Sequence, residues 1–183
     1  MTAPTQTQET TLPVGSWTED TAHSSASFAV KYLVSTFTGN FPAIDAKLDV
    51  AEDGSAKLVG SVKASSVAVR DENLTAHLQS QDFFDTEQYP EIKFESTDIT
   101  RNGEELTLAG DLTIKGNTHP VTATGSFVGP LEDAFGNTKA GLTLETTIDR
   151  SKFGLNWNAE LPAGGFALSN DVKLTVELHL VKA

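Results

Sequence analysis

The stretch DVKLTVELHL, residues 171–180, alternates between polar and apolar side chains at every position. In an extended chain successive side chains point to opposite faces, so one face of this segment is entirely Val and Leu and the other is polar. This period of two predicts a β strand that is buried on one face and wetted on the other.

The same alternation recurs along most of the chain. Further alternating runs lie at residues 26–34, 44–50, 57–69, 92–94, 106–114, 121–127 and 140–148. Turn-forming pairs stand at Asp53-Gly54, Asn102-Gly103, Gly116-Asn117 and Gly136-Asn137. Together with residues 171–180, these runs predict an all-β domain of about eight antiparallel strands.

Two segments depart from this alternation. Residues 71–84 carry apolar side chains at three- and four-residue spacing, which predicts a short helix capped by Asp71 or Asn73. Residues 151–155 are predicted to form a single helical turn. Both segments interrupt the strands without breaking the chain into separate domains.

The apolar face of eight antiparallel strands is buried either inside a closed barrel or between two packed sheets. Alternation alone is consistent with both. An eight-stranded barrel is just wide enough to fill itself with side chains or to hold one small ligand. The inner-face positions of the alternating runs carry no charge and many are Ala, Val or Leu. From the pattern alone a packed core is favoured over an open lumen.

Composition narrows the class of protein. The chain has 183 residues, no cysteine and a formal net charge of −12. Such charge repels phosphate backbones and anionic headgroups, and no run approaches the about 18 apolar residues of a membrane span, so neither nucleic-acid binding nor stable membrane insertion is expected. Residues 1–15 are rich in Thr, Gln and Pro and are interpreted as a disordered N-terminal arm. They lack the basic and apolar regions of a signal peptide, which predicts a cytoplasmic location.

Few polar side chains are arranged for catalysis or metal binding. The histidines are His23, His77, His119 and His179. No two stand at the spacing of a local metal motif. His179 lies between two leucines and is predicted to face solvent, whereas His23 and His77 are interpreted as hydrogen-bonding anchors. The acidic cluster at 82–87 could hold an acid and a base, but a helix end and a solvated turn explain it more simply.

Five segments, in order from Trp17 to about Val181, resemble the YceI family. They are Trp17–Phe41, His77–Ser96, Leu108–Val121, Arg150–Trp157 and Asp171–Leu174. One departure stands out, because Leu74 and Thr75 occupy a slot where the family often carries an Arg-Asp pair. In this chain Arg70-Asp71 lies earlier.

The resemblance implies an extended eight-stranded antiparallel lipocalin-like barrel with one short helix, formed by residues 16–183 around an apolar tunnel. Family members are similar in carrying polyisoprenoids, isoprenoid quinones or fatty amides. The resemblance therefore implies a bound lipid of this kind, without a covalent cofactor, a metal or catalytic residues, and it allows a homodimer. Two alternatives stay open: a stress-protection or interaction module with a filled barrel, and an isoprenoid-modifying enzyme.

The residues expected to contact the lipid fall into two groups. On the inner face they are Phe28, Val30, Tyr32, Ile44, Leu48, Phe94, Leu108, Leu112, Phe127, Leu142, Leu144, Leu174 and Val176. Beside the loops, and expected to line an entrance, they are Phe83, Phe84, Phe153, Leu155 and Trp157. The mouth is predicted where residues 71–85 and the Gly164-Gly165 loop meet the barrel.

Overall fold

The computed structural model describes residues 9–183. Its strands are β1 (Gly15–Glu19), β2 (Ser25–Tyr32), β3 (Ser35–Phe41), β4 (Ile44–Val50), β5 (Ala56–Lys63), β6 (Glu91–Asn102), β7 (Glu105–Ile114), β8 (Asn117–Glu132), β9 (Thr138–Asp149) and β10 (Leu168–Lys182). One α helix, α1 (Glu72–Gln79), and two 3₁₀ helices, Ala64–Ser66 and Arg150–Phe153, complete the described elements.

These strands close into a ring of eight positions. β1 and β2 follow one another along β10, with Trp17 opposite Lys182 and Phe28 opposite Leu174, so together they act as one bent strand. β3 and β4 likewise follow one another beside β2 and β1. The remaining neighbours pair antiparallel in chain order from β4 to β10. The predicted all-β, eight-stranded antiparallel barrel is thereby confirmed.

The two ends of the barrel differ. At the closed end, where β4 turns into β5 and β6 into β7, large side chains fill the interior. They are Trp17, Leu48, Leu106, Phe127 and Leu180, each 1% exposed or less. At the open end lie the β2–β3 turn, helix α1 and the long connection between β9 and β10. The structure is therefore packed at one end, and the other end holds its irregular segments.

The predicted strand at residues 26–34 is wrong at its far end. β2 stops at Tyr32, which pairs with Ser35 of β3, so Leu33 and Val34 form a two-residue hairpin turn. Such turns favour Gly, Asn or Asp because they need positive φ, yet here Leu33 has φ 52°. Val34 continues the alternation of the strand, and neither turn residue is Gly, Asn or Asp, so the turn is hidden from sequence inspection.

The predicted disordered arm is also wrong for residues 9–15, while residues 1–8 lie outside the described part of the chain. Leu12 is buried against the closed-end core. The guanidinium of Arg101 donates to the Thr11 carbonyl at 2.8 Å and pairs with the Glu9 carboxylate at 3.1 Å. These contacts come from a distant strand, so the local composition of the segment did not show them.

The helix prediction is confirmed at its start. The Asp71 carboxylate accepts a hydrogen bond from the Asn73 amide at 2.9 Å and caps α1. The helix ends at Gln79, earlier than predicted, and β5 stops at Lys63 instead of running to residue 69. Among residues 9–183, no helix has both the length and the apolar character needed to span a bilayer.

Candidate binding cavity

The open half of the barrel encloses a cavity of about 420 Å³, bordered by every strand from β2 to β10 and by α1. Several of its inner-face positions are small: Ala26, Ala46, Gly60 and Ala123. Trp17 and Phe127 fill the corresponding space at the closed end. The cavity is therefore the result of small side chains at mid-barrel, and its volume suits a small-molecule site of about 300–1,000 Å³.

Most of the residues predicted to contact a ligand border this cavity. They are Phe28, Val30, Tyr32, Ile44, Phe83, Phe84, Phe94, Leu108, Leu112, Leu144, Leu155, Trp157, Leu174 and Val176. Because the strands twist around a common axis, residues distant in sequence meet on one inner surface. Contact between any of them and a ligand stays a prediction.

The other four predicted residues lie outside the cavity. Leu48, Phe127 and Leu142 belong to the closed-end core, where each is 1% exposed. Phe153 is the last residue of the 3₁₀ helix Arg150–Phe153 and is buried outside the cavity lining, with its ring centroid 5.1 Å from that of His119. Alternation selects the inner face of a strand but carries no information on depth along the barrel, so it could not separate these residues from the cavity lining.

An aromatic cluster lies where α1 meets the barrel. The His77 ring is 5.0 Å from Phe83 and 4.8 Å from Trp157, in both cases edge to face, and Phe83 and Trp157 are 5.5 Å apart. The Nε2 atom of His77 lies 2.9 Å from an Asp82 carboxylate oxygen, which fixes the ring. Rings in such arrangements attract beyond their buried area. The segment after α1 is thereby held over the cavity.

The β2–β3 turn and the Gly164-Gly165 loop approach one another at the open end. The Leu33 amide donates to the Ala167 carbonyl at 2.9 Å. Leu33, Val34 and Phe166 each expose more than half of their surface. Apolar side chains are therefore exposed beside strands that line the cavity, in the region where the mouth was predicted.

Sequence inspection missed Arg150, which borders the cavity and is only 4% exposed. Its Nε donates to the Ser169 carbonyl at 2.9 Å, and its Nη1 donates to the carbonyls of Leu155 at 2.6 Å and Trp157 at 2.8 Å. Burial lowers the pKa of Arg150, against an opposing effect of Asp149. An arginine pKa starts so high that the group stays charged at neutral pH.

The expectation of an uncharged lumen is therefore corrected. A signal for Arg150 was present in the alternation itself. The series Leu142, Leu144, Thr146 and Ile148 points inward at every second residue, and Arg150 is its next member. It was overlooked because the alternating run was taken to end at Ile148.

The remaining histidines play local structural roles. His23 Nδ1 lies 2.9 Å from an Asp20 carboxylate oxygen at the start of β2, as an anchor would. His179 is half-buried instead of freely exposed as predicted, because His23, in the connection between β1 and β2, lies against it. Its ring lies 5.1 Å from that of His23, and its buried Nε2 has no partner among residues 9–183. Over the same residues no group of three or more His, Asp or Glu side chains is placed to hold a metal ion.

Comparison with known proteins agrees with the architecture. The profile of a family described as the YceI-like domain matches residues 17–180. Two UPF0312 proteins of Staphylococcus aureus, from strains bovine RF122 and USA300, are each 35% identical over 161 residues, which cover 86% of this chain and 92% of the relative. The similarity therefore extends over almost the whole barrel.

Solved structures show the same fold. Burkholderia cenocepacia BcnA aligns with a TM-score of 0.75 at 21% identity over 90% of this chain and 99% of that protein. The Campylobacter jejuni YCEI protein aligns with a TM-score of 0.69 at 26% identity, over 82% and 87% of the two chains. A polyisoprenoid binding domain from Saccharophagus degradans, implicated in plant cell wall breakdown, aligns with a TM-score of 0.68 at 13% identity, over 93% and 100%.

Proposed function

This chain belongs to the family of YceI-like domains, and from that premise we propose that its barrel binds one long-chain apolar lipid for transport, storage or sequestration. The observation that carries the proposal is the cavity of about 420 Å³ in the barrel, bordered almost entirely by aliphatic and aromatic side chains. A polyisoprenoid, an isoprenoid quinone or a fatty amide suits such a lining. The fold shared with a polyisoprenoid binding domain supports this choice.

Burial of the lipid tail supplies the affinity. A tail that buries about 400 Å² of apolar surface gains on the order of 10 kcal/mol before the losses of translation and chain freedom are subtracted. A net affinity in the micromolar range or better then needs no covalent cofactor. The filled closed end sets the depth to which the tail inserts, and the open end supplies its route in and out.

A catalytic role is less well supported by the cavity. Lys93 and Glu145 belong to bordering strands but point outward, where Glu145 pairs with Lys173 at 3.3 Å. The remaining charged group, Arg150, is held by three carbonyls and is a poor general acid or base. The other alternative, a stress-protection or interaction module with a filled barrel, fits the closed end only, because the open half contains a cavity.

The proposal is tested by native mass spectrometry of the protein purified from its natural host. We expect a complex whose mass exceeds that of the protein by the mass of one lipid per chain. Extraction with organic solvent then identifies that lipid. The same spectrum gives the number of chains per complex and so tests the homodimer. Absence of a released lipid, together with failure to bind added polyprenols, quinones and fatty amides, would overturn lipid binding.

A cavity-filling variant gives an independent test. In Ala123→Phe the new ring occupies the cavity, because Ala123 lies on the inner face of β8. We expect lipid affinity to fall by about tenfold or more, corresponding to about 1.4 kcal/mol, while the fold is retained. Ala109→Phe is the matched control, since Ala109 is on the outer face of β7. Equal affinities in the two variants would place the lipid elsewhere.

A further inference from the structure

The two buried arginines of this chain differ in whether a carboxylate neutralises the charge of the guanidinium group. Arg101, at the closed end, pairs with the Glu9 carboxylate at 3.1 Å and donates to the carbonyls of Gly103 and Thr11. Arg150 is more deeply buried, yet no carboxylate oxygen of residues 9–183 forms an ion pair with it. The neighbouring Asp149 carboxylate instead accepts hydrogen bonds from the amide and hydroxyl of Ser151.

A count of donors shows which part of the Arg150 guanidinium is free. Arginine has five N–H donors. The Nε hydrogen and the two Nη1 hydrogens match the three carbonyl contacts of Ser169, Leu155 and Trp157. Nη2 has no hydrogen-bond acceptor among the described residues, and it is not among the atoms that are completely inaccessible to a water-sized group. The backbone thus fixes one edge of the guanidinium and leaves Nη2 unoccupied at a residue that borders the cavity.

We propose that Arg150 anchors the polar end of the bound lipid, and that this lipid therefore ends in an acceptor oxygen of a carbonyl or carboxylate group. The inference rests on the proposed function and adds the headgroup chemistry to it. A desolvated cation is costly unless it is paired or hydrogen-bonded. One nitrogen with two free hydrogens suits one oxygen, and a charged donor strengthens that hydrogen bond.

The position of Arg150 also sets the orientation of the lipid. Arg150 follows β9 at the open end of the barrel, on the same side as Leu155 and Trp157. The cavity extends from there past Leu144 and Val176 toward the closed-end core. The headgroup therefore sits near the mouth and the tail points inward.

The test compares three ligands with the same sixteen-carbon chain: hexadecanoic acid, hexadecanamide and hexadecane. Each competes with the neutral fluorophore N-phenyl-1-naphthylamine on the full wild-type protein. We expect the acid and the amide each to bind about tenfold or more tightly than the hydrocarbon. A preference for the acid identifies a carboxylate headgroup, and equal affinities of acid and amide identify a neutral carbonyl.

Paired variants then assign the preference to one residue. Arg150→Met should abolish it, so that all three ligands bind alike, whereas Arg101→Met should retain it although it also removes a buried guanidinium. Circular dichroism establishes that each variant is folded. If Arg150→Met does not fold, the wild-type ligand series still tests the headgroup preference, because equal affinities for the three ligands would overturn the anchor.

The two proposals fail in different ways. Equal wild-type affinities for hexadecane, hexadecanamide and hexadecanoic acid would overturn the headgroup anchor and leave lipid binding intact. A preference that persists in folded Arg150→Met would also overturn it. Failure of all three ligands to displace the fluorophore would instead count against lipid binding itself.

Discussion

Phe127 and Phe94 are both inward-facing phenylalanines, but they occupy different depths of the barrel. Phe127 is 1% exposed within the closed-end core, and the Arg101 guanidinium lies 4.6 Å from its ring centroid. Phe94 borders the cavity, and its ring also packs directly against the backbone of Gly110. The same residue type therefore contributes to packing at one depth and to the cavity lining at the other.

Alanine substitutions should separate these roles. Phe127→Ala leaves a void in a filled core and should lower the free energy of unfolding by about 3–5 kcal/mol. Phe94→Ala should cost less, because its ring already borders empty space, but it should change lipid affinity, which Phe127→Ala should not. Urea denaturation and fluorophore displacement measure the two effects. Equal stability losses would mean that the space around Phe94 is not open.

At the scale of single residues, the sequence predicts whether a side chain points into the barrel, but it does not predict how far along the barrel axis that side chain lies. Alternation placed Leu108, Leu112 and Leu142 on one face, yet Leu142 packs in the closed end while the others border the cavity. Depth depends on which strands pair and in what register, and these are long-range facts. Arg150 obeys the same alternation, but a cation after an apolar run resembles an ordinary strand end.

Among the elements, the β2–β3 hairpin carries a local conflict between sequence and conformation. Leu33 occupies the left-handed region with φ 52°, although a side chain there costs roughly 1–2 kcal/mol. More than half of its surface is exposed, so burial returns little of that cost. The hydrogen bond from the Leu33 amide to the Ala167 carbonyl and the pairing of Tyr32 with Ser35 hold the turn in place.

Leu33→Gly should therefore stabilise the protein or leave its stability unchanged. Relief of the left-handed strain outweighs or balances the backbone entropy cost of glycine, about 0.5–1 kcal/mol. Val34→Gly is the control, because Val34 does not have positive φ and gains no such relief. Thermal unfolding should place Leu33→Gly at or above wild type and Val34→Gly below it. The reverse order would show that Leu33 is not strained.

The predicted strand number was right even though β1 and β3 were not foreseen. Each of them continues a ring position that another strand also occupies, so the ten segments still make eight positions. β1 is short and lies next to Thr- and Pro-rich residues, which hid its alternation. β3 alternates Phe37, Gly39 and Phe41 with polar residues, but it follows a turn that carries no sequence signal.

Over the whole molecule, the connections at the closed end carry a more negative net charge than those at the open end. The closed-end connections carry acidic residues and neither Lys nor Arg: residues 9–14, 20–24, 51–55, 103–104 and 133–137. The connections at the open end carry as many acidic residues, but Arg70, Lys115, Arg150 and Lys152 offset part of their charge. With a net charge of −12, mutual repulsion opposes the compact state at neutral pH.

Three closed-end carboxyls nevertheless favour folding in their ionised form. The pKa values of Asp20, Asp53 and Asp133 lie below the ordinary range because each carboxylate accepts hydrogen bonds. The main hydrogen-bond partner is the His23 side chain for Asp20, the Ser55 hydroxyl for Asp53 and the backbone amide of Asn137 for Asp133. A depressed folded-state pKa adds stability above the unfolded value of about 3.9, and that stability disappears as the pH falls through the folded value. Repulsion and turn formation therefore have opposite pH dependences.

The expected stability profile follows from these two effects. Between about pH 7 and pH 5 the net charge of the protein becomes less negative and repulsion weakens, so the free energy of unfolding should rise modestly, and 0.5 M salt should remove that rise. Below about pH 4 the unfolded chain binds protons that the folded turns still resist, so stability should fall as the pH drops through the folded pKa values, at either salt concentration. Urea denaturation at a series of pH values measures both the rise in stability above pH 5 and the fall below pH 4, which we call the acid limb. Asp133→Asn keeps the shape of its turn without a titrating group, so it should flatten the acid limb. An acid limb as steep as that of wild type would show that the Asp133 turn does not contribute to it.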